Sequence, residues 1–403
     1  MNKIYDYIII GAGISGITYA FKNKTNNFII LEKNDYIGGR IKNIKWNDDF
    51  ISLGGGVFLP SHNFVLDMCK KFEIPTQEYT SVYHLTDLQG TEPNNSLYYK
   101  DFNIIYKSLI QKYVKYKNEI KTLKLSFKEF LEIYFPYDVV KIILDNSLYS
   151  TNFNSDTGLF LNNEFLYDCL RIEDSKMLFI KKTDELHSGY DYIINKILDN
   201  INKENIKLNT HVNEIKKNGK IYEVITNNEV FTTTKIILAT DILSNIKFNL
   251  SDDIKSLLNH IYDSIGYEPY IRIYSFHKNG HNLKNSCKTQ GLIGKTIIMN
   301  DKILMLCYNE SNYAVELNNL LSKTSKTEQI EILYKLFENH EINIVKPDDI
   351  YIQFWNVGMH YCKPGFNIKS ELETLKNEHN IEIVGEIISE SHGWVNSALS
   401  TIK

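Results

Sequence analysis

An apolar run, Ile8-Ile9-Ile10, passes directly into Gly11-Ala12-Gly13-Ile14-Ser15-Gly16 near the start of this 403-residue chain, and few folds accommodate that order. Tyr5 to Ile10 is β-rich, while Ile14 to Phe21 has the Ile, Ala and Phe content of a helix packed on a sheet. The glycines therefore fall at a strand-to-helix turn. Gly11 allows the tight turn, Gly13 removes a side chain that would hold a pyrophosphate away, and Gly16 lets helix and strand pack closely. The phosphate would meet the N–H groups of the first turn, at Ile14 and Ser15, and the positive end of the helix. Glu32, with Lys33 beside it, ends a second strand from Asn27 to Leu31, about twenty residues on. Its carboxylate can accept ribose hydroxyl protons and would repel a 2′-phosphate, so the turn reads as a dinucleotide site that disfavours NADP.

Composition bounds the rest. A prior of about 150 residues per domain suggests two or three domains, and 43% hydrophobic content is ample for buried cores. A net charge of −4 without a long basic run argues against nucleic-acid or anionic-lipid binding. The N-terminus lacks the residue order of a signal peptide, and no uninterrupted apolar span approaches twenty residues; a soluble, intracellular (cytoplasmic) protein is expected. Cys69, Cys169, Cys287, Cys307 and Cys362 show no CxxC spacing, which indicates neither a zinc site nor a disulfide framework. His277 and His281 lie four apart, but Asn279-Gly280 between them marks a turn, and no metal site is expected.

Residues 102 to 148 read as helices, and Asp191 to Leu198 as another amphipathic helix. Strand-like pieces follow at Ile206 to Val212, Lys220 to Thr226 and Glu229 to Thr233. The buried run Lys235 to Asp241 then returns the chain to the nucleotide domain.

Glycine-rich turns of this kind serve both FAD and NAD. The run Leu31 to Ile41, carrying Gly38-Gly39-Arg40, resembles the extended FAD signature of the flavin amine oxidase superfamily. Near the other end, Ile383-Val384-Gly385-Glu386 followed by Gly393-Trp394-Val395-Asn396-Ser397-Ala398 resembles that superfamily's closing motif. The resemblance implies FAD; because the spacing and neighbours of Cys362 differ from those of relatives that attach flavin through a cysteine, a non-covalent cofactor is expected. Arg40 would lie in its pyrophosphate and flavin surroundings, Glu386 by the ribityl chain, and the Val395 amide at the flavin's pyrimidine end. It also implies that Val212 reads the adenine edge, that Ala239 permits close approach on a second cofactor strand, and that Gly54-Gly55-Gly56 forms the loop beside flavin N5. Trp394 would form an aromatic wall on the substrate side, with Tyr361 as its partner.

Two departures stand out. Cys362 lies broadly where some amine oxidases attach flavin, but its neighbours differ. The superfamily's strand lysine facing flavin N5 has no counterpart in Tyr270 to Phe276: alignment on Phe276 places Ile271 there, and a one-residue bulge would place Arg272 there instead. Arginine can organise water but does not readily release a proton.

The expected fold is α/β: an FAD-binding Rossmann-like domain assembled from the discontinuous segments 1–60, 190–246 and 375–403. Residues 61–189 and 247–374 form an α+β substrate domain. The resemblance implies an amine oxidase-like oxidoreductase that moves a hydride from a carbon beside an amine nitrogen to flavin N5, with dioxygen or another acceptor reoxidising the flavin. A desaturase-like FAD dehydrogenase and a non-catalytic structural flavoprotein remain open alternatives.

Overall fold

The computed structural model describes residues 3–402 apart from 24, 26, 48, 81–95, 147–152, 162–175, 182–188 and 290. Its organising element is a five-stranded parallel sheet in the order Ile381–Ile383, Ile236–Leu238, Tyr7–Ile10, Phe28–Leu31, Ile206–Lys207. Tyr7–Ile10 and Phe28–Leu31 are buried at every position, because both faces of the sheet are covered. That is why they read as continuous apolar runs rather than as alternation. On one face Ile9 and Ile30 pack with Ile17, Ile193 and Ala398; on the other Ile8 and Leu31 pack with Val224, Ile254 and Leu375. The second core thus draws on residues past the boundaries expected at 246 and 375.

One expected strand is cut short. Ile206–Lys207 pairs with the sheet, but the next strand begins only at Val212, as part of a second sheet. Between them Asn209 turns the chain at φ 52°, a conformation Asn tolerates better than most residues. The turn is pinned to the end of the neighbouring strand by Asn209 N–H to Asn34 O at 3.0 Å and Thr210 N–H to Glu32 O at 2.8 Å. Of the helices read over 102–148, Ser96–Leu123, Phe127–Tyr134 and Tyr137–Asn146 are present, and positions 147–148 lie outside the described residues.

The third sheet runs Cys287–Lys288, Lys295–Ile298, Ile303–Glu310, Ile265–Phe276, Asp349–Cys362, antiparallel throughout. Alternation along Ile265–Phe276 sends Ile271 and Ile273 into a core with the helices Ser311–Leu321 and Lys326–Asn339. Tyr274 faces the other way, onto Ile51 and Leu53. The register against Asp349–Cys362 slips between Glu268 and Tyr270, where the ring of Tyr270 lies over Gly358. Among the described residues no helix is long and apolar enough to cross a membrane.

Candidate cofactor and active site

A cavity of about 570 Å³ runs along the carboxyl ends of the parallel strands, where open α/β sheets place ligands. Glu32, Lys33 and Val212 line one end, the two glycine turns its middle, and Gly55, Trp394 and Val395 the other end.

The three glycines of the first turn differ physically. A Cβ on Gly11 (φ 103°) would lie 2.6 Å from the carbonyl oxygen of Ala239, and one on Gly16 would lie 2.1 Å from that of Gly11. Around Gly13 no atom comes within 4 Å of such a Cβ. Packing therefore demands the outer two, whereas Gly13 leaves open room on the cavity wall. Gly13 also caps the helix Ile14–Lys22, with no side-chain cap hydrogen bond and no acidic residue in the first turn. Both features fit a pyrophosphate received by main-chain N–H groups. Glu32 is buried; its carboxylate accepts from Ala12 N–H at 2.7 Å and from the main-chain and side-chain N–H groups of Asn34 at 2.9 and 2.8 Å. The acidic group is thereby held at the mouth of the glycine turn.

Gly38 and Gly39 (φ 117° and 61°) bring the second turn onto the first: Gly38 N–H donates to Ala12 O at 2.9 Å, and a Cβ on Gly39 would lie 3.3 Å from Gly13 Cα. Gly385 (φ 118°) brings the closing turn against Ser15. Arg40 leaves this junction to bond Glu386 at 2.9 Å and the carbonyl of Gly358 at 3.0 Å.

Glu386 receives three further contacts: His360 N–H at 3.0 Å, Gly393 N–H at 3.1 Å and His360 Nδ1 at 2.6 Å. The Ile242 N–H points at His360 Nε2 at 3.4 Å, which leaves the imidazole proton on Nδ1, donated to the carboxylate. Burial opposes ionisation of Glu386, but the Arg40 guanidinium and the His360 contacts prevail and hold the carboxyl well below the usual range. The carboxylate that the resemblance assigned to the ribityl chain does line the cavity, yet its oxygens knit together three segments of the chain, those of Arg40, His360 and its own closing turn at Gly393. The pairing of His360 with Glu386 spans 26 residues, and no local pattern signals it.

Val212 and Ala239 are on the cavity wall, and Ala239 N–H donates to Ile10 O at 2.9 Å. Of Gly54, Gly55 and Gly56, Gly55 reaches the cavity. A Cβ on Gly54 would lie 1.7 Å from Arg40 O, and one on Gly55 would lie 3.1 Å from the Val395 side chain. Trp394, only 9% exposed, precedes the helix Val395–Ser400, lines the cavity, and stands edge-on to His62 with ring centres 4.8 Å apart. Tyr361 does not join it. It projects from the same strand face as Met359, which packs with Trp394, but one alternation further, where its ring covers Gly266.

Ile271 and Arg272, the two candidates for the lysine's place, point to opposite faces of their strand. Ile271 belongs to the helix-covered core, while Arg272 lies on the opposite face and donates through Nη1 to the carbonyl of Ser52 at 3.0 Å and to that of Gly54. Cys362 is fully buried and off the cavity wall; its sulfur lies 3.0 Å from His392 Nε2, and burial pushes its thiol well above the ordinary range. His277 and His281 face each other at 6.0 Å between ring centres, and the described residues contain no group of three or more metal-ligating side chains. Glu268, unremarked in sequence, is buried in the long strand. Burial raises its carboxyl to about 7, with the Ser311 hydroxyl opposing and the Glu310 charge adding to the rise.

Comparison with known proteins agrees with this geometry. An amine oxidase from Danio rerio is 22% identical over 327 residues, 73% of this chain and 60% of the relative. The chain spans between about a fifth and three fifths of the length of the first curated relatives it matches. Wild-type putrescine oxidase bound to putrescine superposes with a TM-score of 0.71 at 13% identity, covering 100% of this chain and 98% of that one. A fatty acid isomerase from P. acnes superposes nearly as well, with a TM-score of 0.70 at 13% identity over 99% and 97% of the two chains. At such identities these likenesses concern the fold. The family model described as flavin containing amine oxidoreductase matches residues 14–274, well over half of the sequence, and the chain belongs to that family, whose cofactor is FAD.

Proposed function

We propose that this protein is an FAD-dependent amine oxidoreductase that oxidises a carbon beside an amine nitrogen, the resulting iminium hydrolysing in water. The observation that carries this reading is one continuous cavity joining the dinucleotide turn to an aromatic wall at Trp394, in a chain of this family. FAD would supply a two-electron acceptor at N5 of its flavin ring. Glu32 would hold the ribose, the turn at Gly13 the pyrophosphate, and the Gly55 and Val395 end the flavin ring. Trp394 would orient the substrate by shape and dispersion within a site from which water is largely excluded.

The cofactor is held non-covalently, since Cys362 lies off the cavity wall. The cofactor domain is built on 1–60, 190–246 and 375–403 and the substrate domain on 61–189 with 247–374, although Ile254 and Ile368 of the latter also pack into the core of the former. With Arg272 committed to main-chain carbonyls, dioxygen serves as a slow acceptor and another oxidant is the better one.

An absorbance spectrum followed by anaerobic mixing with a panel of amines tests the function. Bleaching of the flavin by an amine is expected. If no amine bleaches it while a polyene, porphyrinogen or thiol does, the assignment fails in favour of a desaturase-like dehydrogenase. Flavin that no small molecule reduces would point to a structural flavoprotein.

A further inference from the structure

Three consecutive carbonyls in the loop 52–54 are each claimed by a side chain from the third sheet. Ser52 O accepts from Arg272 Nη1 at 3.0 Å and from the Tyr274 hydroxyl, Leu53 O from Trp355 Nε1 at 2.7 Å, and Gly54 O from Arg272 Nη1. These side chains come from two paired strands, on which Arg272 and Gln353 stand opposite and Tyr270 and Trp355 stand opposite. The guanidinium plane is further held over the Tyr308 ring, 4.8 Å from its centre.

The far side of the loop is equally committed. Leu53 N–H donates to Lys42 O at 2.8 Å and Gly55 N–H to Arg40 O at 3.2 Å, and Gly54 has no room for a Cβ against Arg40. The loop is thus gripped between the glycine-arginine turn, which opens on the cofactor cavity, and the substrate-side sheet. Lattices of this kind store position: the loop cannot move without breaking several partly buried hydrogen bonds at once.

We infer that Arg272, together with Tyr274 and Trp355, is a positioning clamp that fixes the loop 52–55 against the end of the cavity where Gly55 and Val395 meet. This assigns Arg272 a role different from holding a reactive water, and for its effect on bound flavin it rests on the FAD reading above. Lysine in its place keeps the charge and donors on one nitrogen, but loses the planar guanidinium held over the Tyr308 ring that aims Nη1 at the two carbonyls.

Arg272→Lys, Tyr274→Phe and Trp355→Phe test the clamp in the full chain; Tyr274→Phe, which removes a single hydroxyl, guards against variants that fail to fold. Without cofactor, amide hydrogen exchange at Leu53 and Gly55 should rise roughly tenfold in each variant. With FAD bound, the dissociation constant should rise and the visible circular dichroism of the flavin should change in the same sense in all three. A purely structural contribution would lower the melting temperature while leaving the FAD dissociation constant and the dichroism unchanged, and would overturn the inference. So would an Arg272→Lys protein whose flavin reoxidises faster in air with dichroism and loop exchange unaltered. If the wild-type chain takes up no FAD, the functional reading falls, while the exchange measurement still decides the clamp.

Discussion

Gly11, Gly13 and Gly16 look alike in sequence, yet each serves a different physical end, and substitution separates them. Gly16→Ala forces a Cβ to within 2.1 Å of a carbonyl, and Gly11→Ala adds a positive φ to a similar clash. Each should destabilise the cofactor-free protein by about 1–3 kcal/mol or more, read from denaturant unfolding. Gly13→Ala meets no protein atom within 4 Å and sits at φ −67°, so its unfolding curve should barely move while FAD binding weakens, measured by flavin fluorescence. Equal destabilisation at all three would remove the argument that Gly13 is kept for the ligand. Glu268 carries a second residue-scale prediction. Its carboxyl, raised from 4.5 to about 7, stays protonated in the folded state where the unfolded chain has already lost the proton. Stability should therefore fall as pH rises from about 4.5 to 7 and level off above. Glu268→Gln should flatten that slope and raise the melting temperature at pH 8 but not at pH 4, as calorimetry at the two values would reveal.

Among the elements, the parallel strands Tyr7–Ile10 and Phe28–Leu31 were legible because total burial leaves an unbroken apolar run bounded by turn residues. The strand expected from Ile206 to Val212 was not, because the turn at Asn209 is held by Glu32 and Asn34, residues far upstream whose carbonyls no local pattern exposes. Helix starts lie between these cases. Ser126 and Glu129 form a capping box at Phe127–Tyr134, with Glu129 N–H donating to Ser126 Oγ at 3.2 Å and Ser126 N–H to Glu129 Oε2 at 2.8 Å. Ser126→Ala should cost about 1 kcal/mol in chemical denaturation. The hydroxyl and amide of Ser126 also hold the Glu129 carboxyl below its usual range, so the same variant should let it titrate higher, visible by NMR.

At the scale of the molecule, three distant stretches meet in one sheet and are stitched by Arg40, Glu386 and His360, so cofactor binding and global stability are linked. FAD at a hundred times its dissociation constant should stabilise the fold by about 2.7 kcal/mol, whereas NADP should leave it unchanged. Thermal scans with each nucleotide check this. Denaturation should release the flavin into the filtrate, because Cys362 is enclosed by His392 and Ser389 away from the cavity; yellow colour retained on the polypeptide would refute non-covalent binding.

The residues alone called for a nucleotide turn with Glu32 as its acidic partner, because a positive φ, a missing Cβ and an apolar run of strand length are short-range requirements. The expectation of FAD came from the resemblance of Gly38-Gly39-Arg40 and Gly385-Glu386 to the motifs of a family. The direction of Arg272, the separation of Tyr361 from Trp394, the enclosure of Cys362 and the burial of Glu386 against His360 emerge with the packed fold alone. Each of these depends on strand register or on a contact between residues far apart in the chain, where a shift of a single residue sends a side chain to the opposite face of its sheet.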